Sequence, residues 1–255
     1  MPIYLEAIQN ATVARAINKM NIKLVADGSA KWERFICRWG ISFLIDEDIL
    51  FDTFGDPYVF LRNCEKYNVD FSKIKHIIIS HDDWDHITGL WYVINRYKNL
   101  SVYICPNFKQ EIKERIKSFG VNVVEAGKSL RIRNAVYTTG ELTGGFGGKI
   151  IYEQSLVIKS SRGLVVITGC AHPGIANIID NVRKQFGATV YCVIGGLHLK
   201  DFPKEKARQV IMQFKKFNLE KIVPLHCTGK QPVQLIKEIF GDKYIKLKQG
   251  EILEI

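Results

Sequence analysis

The sequence predicts an α/β protein, and three observations support this prediction. Short runs rich in β-branched residues alternate with segments whose apolar residues recur at helical spacing. The composition, 47% hydrophobic and 24% charged, is that of a globular chain with a large core. The length of 255 residues is long for one simple domain and short for two full ones. One α/β domain or two fused half-sized units are therefore expected.

Compact apolar runs predict strands in both halves of the chain. The first two, ISFLI and DILFD, are close enough in sequence to pair as a hairpin. The expected strands are 41–45, 48–52, 76–80, 101–104, 155–161, 163–169, 189–196 and 221–225, followed by two short strands at the C-terminus.

Helical stripes lie between these strands, and most carry a start or stop signal. A proline suits the first turn of a helix, and a glycine after the last apolar position stops it. The expected helices run from Pro106 to Gly120, from Ile175 to Gly187, after Pro203 through Phe217, and around Val233 to Phe240.

The segment TGGFGG at 143–148 contains four glycines in six residues. Such a segment is either a mobile loop that covers a site or a tightly turned hairpin connection at the surface. The sequence leaves both interpretations open.

The chain carries 36 basic and 26 acidic residues, a net charge of +10, which suits an anionic small-molecule substrate or nucleic acid. The basic residues are scattered. The densest run, at 109–117, is interleaved with glutamates as on a solvated helix face. Nucleic-acid binding is therefore possible but not favoured, and the sequence gives no oligomeric state.

No apolar run approaches the roughly 20 residues of a membrane span, and the N-terminus lacks the pattern of a signal peptide. A cytoplasmic protein without a membrane partner is expected. Six cysteines without a C-x-x-C pair are too few for a disulfide framework, so most are expected to be small core residues.

Five of the six histidines follow predicted strands. His81 and His86 come after the strand at 76–80, and His172, His198 and His226 come after later strands. Ligands of α/β proteins gather where strand ends and their loops converge. Several strand ends that deliver histidine to one rim, beside an acidic cluster, indicate a shared metal site.

The acidic cluster is SHDDWDH at 80–86. His81, Asp83, Asp85 and His86 are four candidate ligands within six residues, too dense for one ion but suited to two. Remote ligands must complete each set, and His172 and His226 are the obvious donors. Alternatively, the acids only favour the N-terminus of a following helix. That alternative does not explain the histidines.

This cluster resembles a known signature. His81-x-Asp83-x-Asp85-His86-x-x-Gly89 resembles the metal-binding motif of the metallo-β-lactamase superfamily, His-x-His-x-Asp-His followed by glycine. The segment at 40–56 resembles the first family motif, a strand followed by Asp52. ITGCAHPGI, VIGGLHL and PLHCTG resemble later motifs, and with TTGEL at 138–142 they are similar to a subgroup of dihydropteroate-synthase-like metallo-hydrolases. The match runs in order from about residue 35 to 255.

The resemblance implies an αββα sandwich of two mixed sheets flanked by helices, formed by residues 1–255 as one domain whose similar halves meet near 130–150. It implies that Asp52 orients a ligand histidine. It also implies two divalent transition metals with a hydroxide between them. One metal would be held by His81, Asp83 and His172, and the other by Asp85, His86 and His226.

Asp83 departs from the family pattern, because it stands where most members have histidine. An anionic oxygen in place of a neutral nitrogen favours harder ions. Zinc is expected from the resemblance, with manganese or iron as alternatives.

Three further residues are candidates for the site. Cys170 stands where hydrolase relatives have a bridging Asp, but it lies two residues before His172, so only one of the two is expected to face the metals, and His172 is favoured. His198 is a candidate substrate contact or proton donor, or a polar cap on a strand end. Glu141 is a candidate contact to substrate or metal.

The expected function is metal-dependent hydrolysis of an anionic, phosphate-containing small substrate by a dinuclear metal-activated hydroxide. One alternative is a pterin-linked transferase, for which Trp84 and Trp91 offer stacking surface. A nuclease or phosphodiesterase, a di-iron redox protein and a non-catalytic metal-dependent scaffold are also compatible with the motifs.

Overall fold

The computed structural model describes residues 19–33 and 36–255, with side chains throughout these ranges except at 29–38. Cys37 therefore lies outside the described side chains. The strands are β1 (Asn21–Glu33), β2 (Ile36–Ile45), β3 (Ile49–Phe51), β4 (His76–Ile78), β5 (Ser101–Ile104), β6 (Asn122–Glu125), β7 (Leu130–Arg133), β8 (Val136–Thr138), β9 (Leu142–Phe146), β10 (Lys149–Glu153), β11 (Leu156–Ser160), β12 (Gly163–Thr168), β13 (Val190–Gly196), β14 (Lys221–Leu225) and β15 (Ile252–Glu254). The α-helices are α1 (Pro57–Lys66), α2 (Trp84–Ile87), α3 (Leu90–Arg96), α4 (Gln110–Ser118), α5 (Ile175–Phe186), α6 (Lys204–Gln213) and α7 (Lys230–Phe240).

Two mixed sheets form the framework. The first has the order β15-β1-β2-β3-β4-β5-β6, and β3 to β6 are parallel within it. The second has the order β14-β13-β12-β11-β8-β7, and β12 to β14 are parallel. The chain passes from the first sheet to the second between β6 and β7, and β15 returns to the first sheet.

Three apolar layers hold the sandwich together. The central layer lies between the sheets, where Phe43 and Phe51 of the first sheet share a cluster with Ile167 and Ile194 of the second. A second layer packs α1, α3 and α4 on the first sheet, and a third packs α5, α6 and α7 on the second. Side chains of alternating strand positions enter opposite layers, as in Ile77 and Ile78. The predicted αββα sandwich is confirmed.

The parallel strands of both sheets end at one rim. Asp52 follows β3, the loop at 79–86 follows β4, and Cys170 comes shortly after β12. His198 and His226 follow β13 and β14. The fold thus brings together, at one edge, polar residues that are up to 174 positions apart in sequence.

Several elements differ from the sequence-based prediction. The helix expected from Pro106 begins only at Gln110, and the helix expected through Phe217 ends at Gln213, where a 3₁₀ turn continues it. Of the two expected C-terminal strands only β15 forms a ladder, and Tyr244 makes a single bridge to β14. The sequence prediction omitted β1, β6, β7 and β8, and it named no strands where β9 and β10 form.

The glycine segment forms a tight β-hairpin. Strands β9 and β10 pair antiparallel, and Gly147 and Gly148 between them both have positive φ, +57° and +76°. Two consecutive residues with positive φ are typical of a two-residue hairpin turn that glycine adopts without strain. The hairpin interpretation is therefore confirmed, although the segment also reaches the cavity described below.

None of the described helices is long and apolar enough to cross a membrane. The five cysteines with described side chains are all buried and form no disulfide, as predicted for small core residues.

Candidate metal centre

The loop after β4 carries the densest part of the site. His81 and His86 are fully buried, Asp85 is buried, and Asp83 is partly exposed. The first turn of α2 contains Asp85 and His86, while Asp83 precedes it in extended conformation. This change of backbone conformation between Asp83 and Asp85 lets the two carboxylates serve different partners.

Among the described residues several groups of potential metal ligands result, and two of them are triads of the predicted ligands. In the first, ligand atoms of His81, Asp83 and His172 all lie within 4.8 Å of one another. The Nε2 of His81 is 3.6 Å from Oδ2 of Asp83. The structure thus brings His172, from the loop after β12, to the first half of the signature.

The second triad contains Asp85, His86 and His226, again with ligand atoms within 4.8 Å of one another. Oδ2 of Asp85 is 3.2 Å from Nε2 of His86 and 3.4 Å from Nε2 of His226. The triads adjoin each other, because the ring centroids of His81 and His86 are 4.0 Å apart.

All four histidines turn the same ring nitrogen away from the cluster. Each Nδ1 has a partner in the surrounding protein: Ser80 Oγ at 2.8 Å for His81, Asp52 Oδ2 at 2.7 Å for His86, Glu153 Oε2 at 2.9 Å for His172, and the Gly28 carbonyl at 2.8 Å for His226. Each Nε2 is left for the cluster. This is the arrangement of metal-binding histidines, whose other nitrogen is fixed by a neighbouring acceptor.

Two of these nitrogens have room to bind a cation. The Nε2 atoms of His81 and His226 are buried and have no hydrogen-bond partner among the described residues. A buried polar atom without a partner is costly, and a bound metal would satisfy both. The donor set of imidazoles and carboxylates suits divalent transition metals. The residues present therefore fit a metal pair.

The charges of the cluster also suit cations. Burial, with the charge of His86 second, lowers the pKa of His81 well below its usual value, so its imidazole is neutral, the form that binds metals. Burial raises the pKa of Asp85, but His86 and His226 outweigh burial and hold that pKa below its usual value. Burial lowers the pKa of His86, yet the adjacent carboxylates of Asp85 and Asp52 outweigh it and raise that pKa well above normal. The two carboxylates around His86 therefore favour a positive charge at this residue.

Asp52 is fully buried behind His86. Its carboxylate accepts hydrogen bonds from the backbone N–H and the hydroxyl of Ser80, both at 2.7 Å, besides its contact with His86. Gly169 permits this packing, because a Cβ there would lie 2.1 Å from Ser80 Oγ and 2.8 Å from Asp52 Oδ2. Asp52 thus lies where the resemblance implies, in contact with a candidate ligand histidine.

Glu153, at the end of β10, was not predicted. It is fully buried, and its carboxylate accepts the backbone N–H groups of Cys170, Ala171 and His172 as well as facing His172 Nδ1. Burial raises the pKa of this carboxyl, but the hydrogen bonds and charges of His172 and His81 outweigh burial and lower the pKa below its usual value. The one sequence signal was an acid inside an apolar run, IIYEQSLVI.

The backbone of the rim is strained at several site residues. Asp52, Ala171, His198 and His226 all have φ between +47° and +62° without being glycine. Such strain is retained where the surroundings fix it, and it concentrates at functional sites.

Cys170 and His172 both face the cluster, so the expectation that only one of them does is wrong. Cys170 Sγ is 3.4 Å from His86 Nε2, and it also lies within 4.8 Å of ligand atoms of His81, His172 and His226. Residues two apart in an extended segment point to the same side, so the spacing of Cys170 and His172 is compatible with both side chains facing the cluster.

A cavity of about 470 Å³ opens beside the triads. Asp83, Asp85 and His172 border it on the metal side, and Trp39, Phe146, Phe202 and Leu199 give it apolar walls. Lys200 also lines it, with Nζ 4.3 Å from the centroid of the Trp39 ring. Trp39 lies in β2, one residue before the first motif at 40–56, and was not singled out from the sequence.

His198 lies inside this cavity. Its ring is 4.4 Å from that of His172 and 4.7 Å from that of Phe146, and its Nδ1 is buried without a hydrogen-bond partner among the described residues. His198 is therefore placed to contact a molecule bound beside the triads.

The remaining candidates lie outside the cavity. The Glu141 carboxylate accepts hydrogen bonds from the backbone and side-chain amides of Asn107, at 2.8 and 2.6 Å, and is not part of the cavity wall. Trp84 is 49% exposed outside the cavity, and Trp91 stacks on Phe119 as helix packing. The role of Glu141 stays a prediction, while Trp39 takes the position beside the cavity that Trp84 was expected to hold.

Two packed mixed sheets with this cluster at one rim define the class of the protein. Tm1679, whose solved structure is described as a metal-dependent hydrolase of the β-lactamase superfamily, is 27% identical with a TM-score of 0.75, over 92% of this chain and 99% of that one. A diphosphatase from the PhnP family has the same fold, with a TM-score of 0.63 and 14% identity over 93% of this chain and 97% of its own. The chain has the fold of the metallo-β-lactamase superfamily and is similar to metal-dependent hydrolases of that superfamily.

The chain is also similar to one protein of named activity. The 7,8-dihydropterin-6-methyl-4-(beta-D-ribofuranosyl)-aminobenzene-5'-phosphate synthase of Methanocaldococcus jannaschii is 28% identical, over 93% of this chain and 97% of its own length. No family model matches the sequence. The predictions of superfamily, fold and enzyme class are confirmed.

Proposed function

We propose that this chain is a hydrolase that holds two divalent transition metals and acts on an anionic, phosphate-containing small molecule. The observation that carries the proposal is the pair of adjoining triads, each with one buried Nε2 that lacks a partner among the described residues. His81, Asp83 and His172 would hold one metal, and Asp85, His86 and His226 the other. Zinc is the expected metal, with manganese or iron as alternatives.

When bound, the metal pair supplies a water of lowered pKa and polarises the phosphoryl oxygen under attack. The chain's own residues keep the ligands in place. Asp52 fixes the ring of His86, and Glu153 fixes the ring of His172 together with the backbone that carries it. Preorganised ligands lower the reorganisation needed at the moment of reaction.

His198 would act on the leaving group. Its ring lies in the cavity wall beside His172, and its buried Nδ1, without a partner among the described residues, can donate or accept a proton. Histidine is the side chain best suited to proton transfer near neutral pH. Apolar side chains such as Phe146 and Leu199 line the cavity beside it.

An anionic substrate is supported by charge. The chain carries a net charge of +10, and Lys200 presents an ammonium group at the cavity. The cavity volume suits a small molecule rather than a polymer chain. The five cysteines with described side chains are free thiols, which favours a reducing compartment. We therefore assign the protein to the cytoplasm.

A second candidate function is that of a pterin-linked transferase. Two observations favour it: the name of the Methanocaldococcus relative contains a dihydropterin, and the aromatic side chains of Trp39 and Phe146 line the cavity. In this case an aromatic donor, rather than water, would displace the phosphate-bearing group.

Elemental analysis combined with a substrate panel tests the proposal. The purified chain should hold about two metals, lose turnover of bis(p-nitrophenyl) phosphate on chelation, and regain it with zinc, manganese or iron. Asp85→Asn should lose metal and turnover. Asp82→Asn is the matched control, since the Asp82 carboxylate accepts from the Lys109 backbone outside both triads.

The outcomes separate the candidates. A chain that retains no metal and gains no activity on loading would overturn the proposal. A metal-loaded chain that consumes a dihydropterin diphosphate only in the presence of an aromatic amine would favour the transferase. A coloured, iron-rich chain without esterase activity would favour a redox function.

A further inference from the structure

Two thiols meet in the wall of the cavity. The Sγ atoms of Cys170 and Cys227 lie within 4.8 Å of each other, and Cys227 Sγ is 3.6 Å from the Cys170 carbonyl oxygen. The two residues share an apolar cluster with Trp39, and they come from the loops after β12 and β14. They are 57 positions apart in sequence, so the fold alone brings them together.

Gly196, at the end of β13, makes this approach possible. A Cβ at Gly196 would lie 2.6 Å from Cys227 Sγ and 3.2 Å from Cys170 Cα. Any other residue would push between the two loops. The absence of a side chain at Gly196 therefore lets the two thiols lie within 4.8 Å of each other.

The pair is buried yet open to small molecules. Cys170 is 4% exposed and Cys227 3% exposed, but both line the cavity. A small oxidant that enters the cavity reaches their sulfur atoms, whereas a macromolecule does not. By contrast, Cys64 and Cys192 lie in the apolar layers under the helices and between the sheets.

We propose that Cys170 and Cys227 are a redox-active dithiol that a peroxide closes to a disulfide. One sulfur attacks the O–O bond of hydrogen peroxide and becomes a sulfenic acid as one water leaves. The second thiol attacks that sulfur, the S–S bond forms, and a second water leaves. The two thiols lose two electrons to the peroxide, so the step balances. Rotation of the side chains must bring the sulfurs to about 2.05 Å.

The disulfide would change the cluster beside it. Cys170 Sγ is 3.4 Å from His86 Nε2, and closing the bond takes this soft donor away from the candidate ligands. We expect oxidised protein to lose metal faster to a chelator than reduced protein. The cross-link itself depends only on the geometry of the two thiols and not on the proposed hydrolase function.

The test uses the full chain, purified under reducing conditions, stripped with a chelator and then treated with hydrogen peroxide. The intact mass should fall by about 2 Da, and the thiols titratable after unfolding should fall by two from the six in the sequence. Peptide mapping should join Cys170 to Cys227, and dithiothreitol should reverse the change.

Three variants make the result specific. Cys170→Ser and Cys227→Ser should each abolish the reversible loss of mass, and Cys64→Ala, a buried cysteine remote from the cavity, should leave it intact. A mass gain of about 32 Da on Cys170 or Cys227, a cross-link that includes Cys37, or unchanged thiols at peroxide concentrations that oxidise free glutathione would each overturn the proposal. None of these readouts depends on turnover, so failure of the proposed hydrolase function would be seen separately.

Discussion

Glu153 Oε2 and His172 Nδ1 lie 2.9 Å apart, and the same carboxylate accepts three backbone N–H groups of the loop that carries His172. Asp52 has the corresponding position in the other half, 2.7 Å from His86 Nδ1 and bonded to the backbone of Ser80. Each triad thus contains one histidine whose Nδ1 faces a fully buried carboxylate, Glu153 from the β9–β10 hairpin or Asp52 from the loop after β3. The Ser80 hydroxyl that donates to Asp52 also lies 2.8 Å from His81 Nδ1, so we expect each carboxylate to position mainly, but not solely, the histidine that it contacts directly.

Glu153→Gln and Asp52→Asn test this division. Removing the acceptor of a ligand histidine lowers metal affinity by about 10- to 100-fold. Each single variant should retain about one metal per chain at limiting metal, and the double variant should retain none. Elemental analysis after dialysis measures this, and Glu125→Gln, an acid paired with Lys113 at the surface, is the control. If both carboxylates served the same ion, the double variant would still hold one.

We expect Asp83 to set the relative affinity of the first triad for zinc and manganese. Replacing it with histidine restores the pattern of most of the superfamily and exchanges a hard oxygen for a nitrogen. Asp83→His should raise the affinity for zinc relative to manganese by about tenfold or more, measured by competition between the two ions. Asp82→His, one position away and outside the triads, should leave the ratio unchanged. An equal ratio in Asp83→His and the parent chain would mean that Asp83 does not bind metal.

The sequence predicted the superfamily, the sandwich and the rim because the loops that carry His81, His172 and His226 follow compact apolar runs that predict strands. Parallel strands deliver such ends to one edge, so sequence spacing was enough. Glu153 was missed because it belongs to a hairpin strand outside the parallel set, and its role depends on folding over the loop at 170–172. Trp39 was missed for a similar reason, since only tertiary packing brings β2 to the cavity.

His198 should act as a proton donor to the leaving group. His198→Gln should lower kcat by about 10²- to 10⁴-fold for substrates with basic leaving groups, while metal content stays unchanged. Substrates that release p-nitrophenolate need less protonation and should lose less. His76→Gln is the control, because His76 lies at the start of β4, away from the rim. An equal loss for both kinds of substrate would leave His198 only a packing role.

Phe146 is the residue of the glycine hairpin that is placed to contact a substrate in the cavity. Its side chain is 49% exposed, yet its ring lies 4.7 Å from His198, and Gly144 lets the hairpin pack against the His172 backbone, where a Cβ would lie 2.3 Å from the carbonyl carbon. If the substrate carries an aromatic ring, Phe146→Ala should raise KM by up to about tenfold, the effect of losing about 0.5–1.5 kcal/mol of ring contact, with kcat nearly unchanged.

The matched control for Phe146 lies on the same hairpin. Ile150 is 64% exposed and pairs with Gly145 across the ladder, but it does not line the cavity. Ile150→Ala removes a comparable apolar surface from the hairpin, so a change in KM confined to Phe146→Ala separates ring contact from loss of hairpin structure. KM should rise for ring-bearing phosphoesters and stay constant for ring-free ones such as glycerophosphodiesters. A uniform rise across both groups would show that Phe146 only shapes the cavity, and would remove the support that this residue gives to a pterin-like substrate.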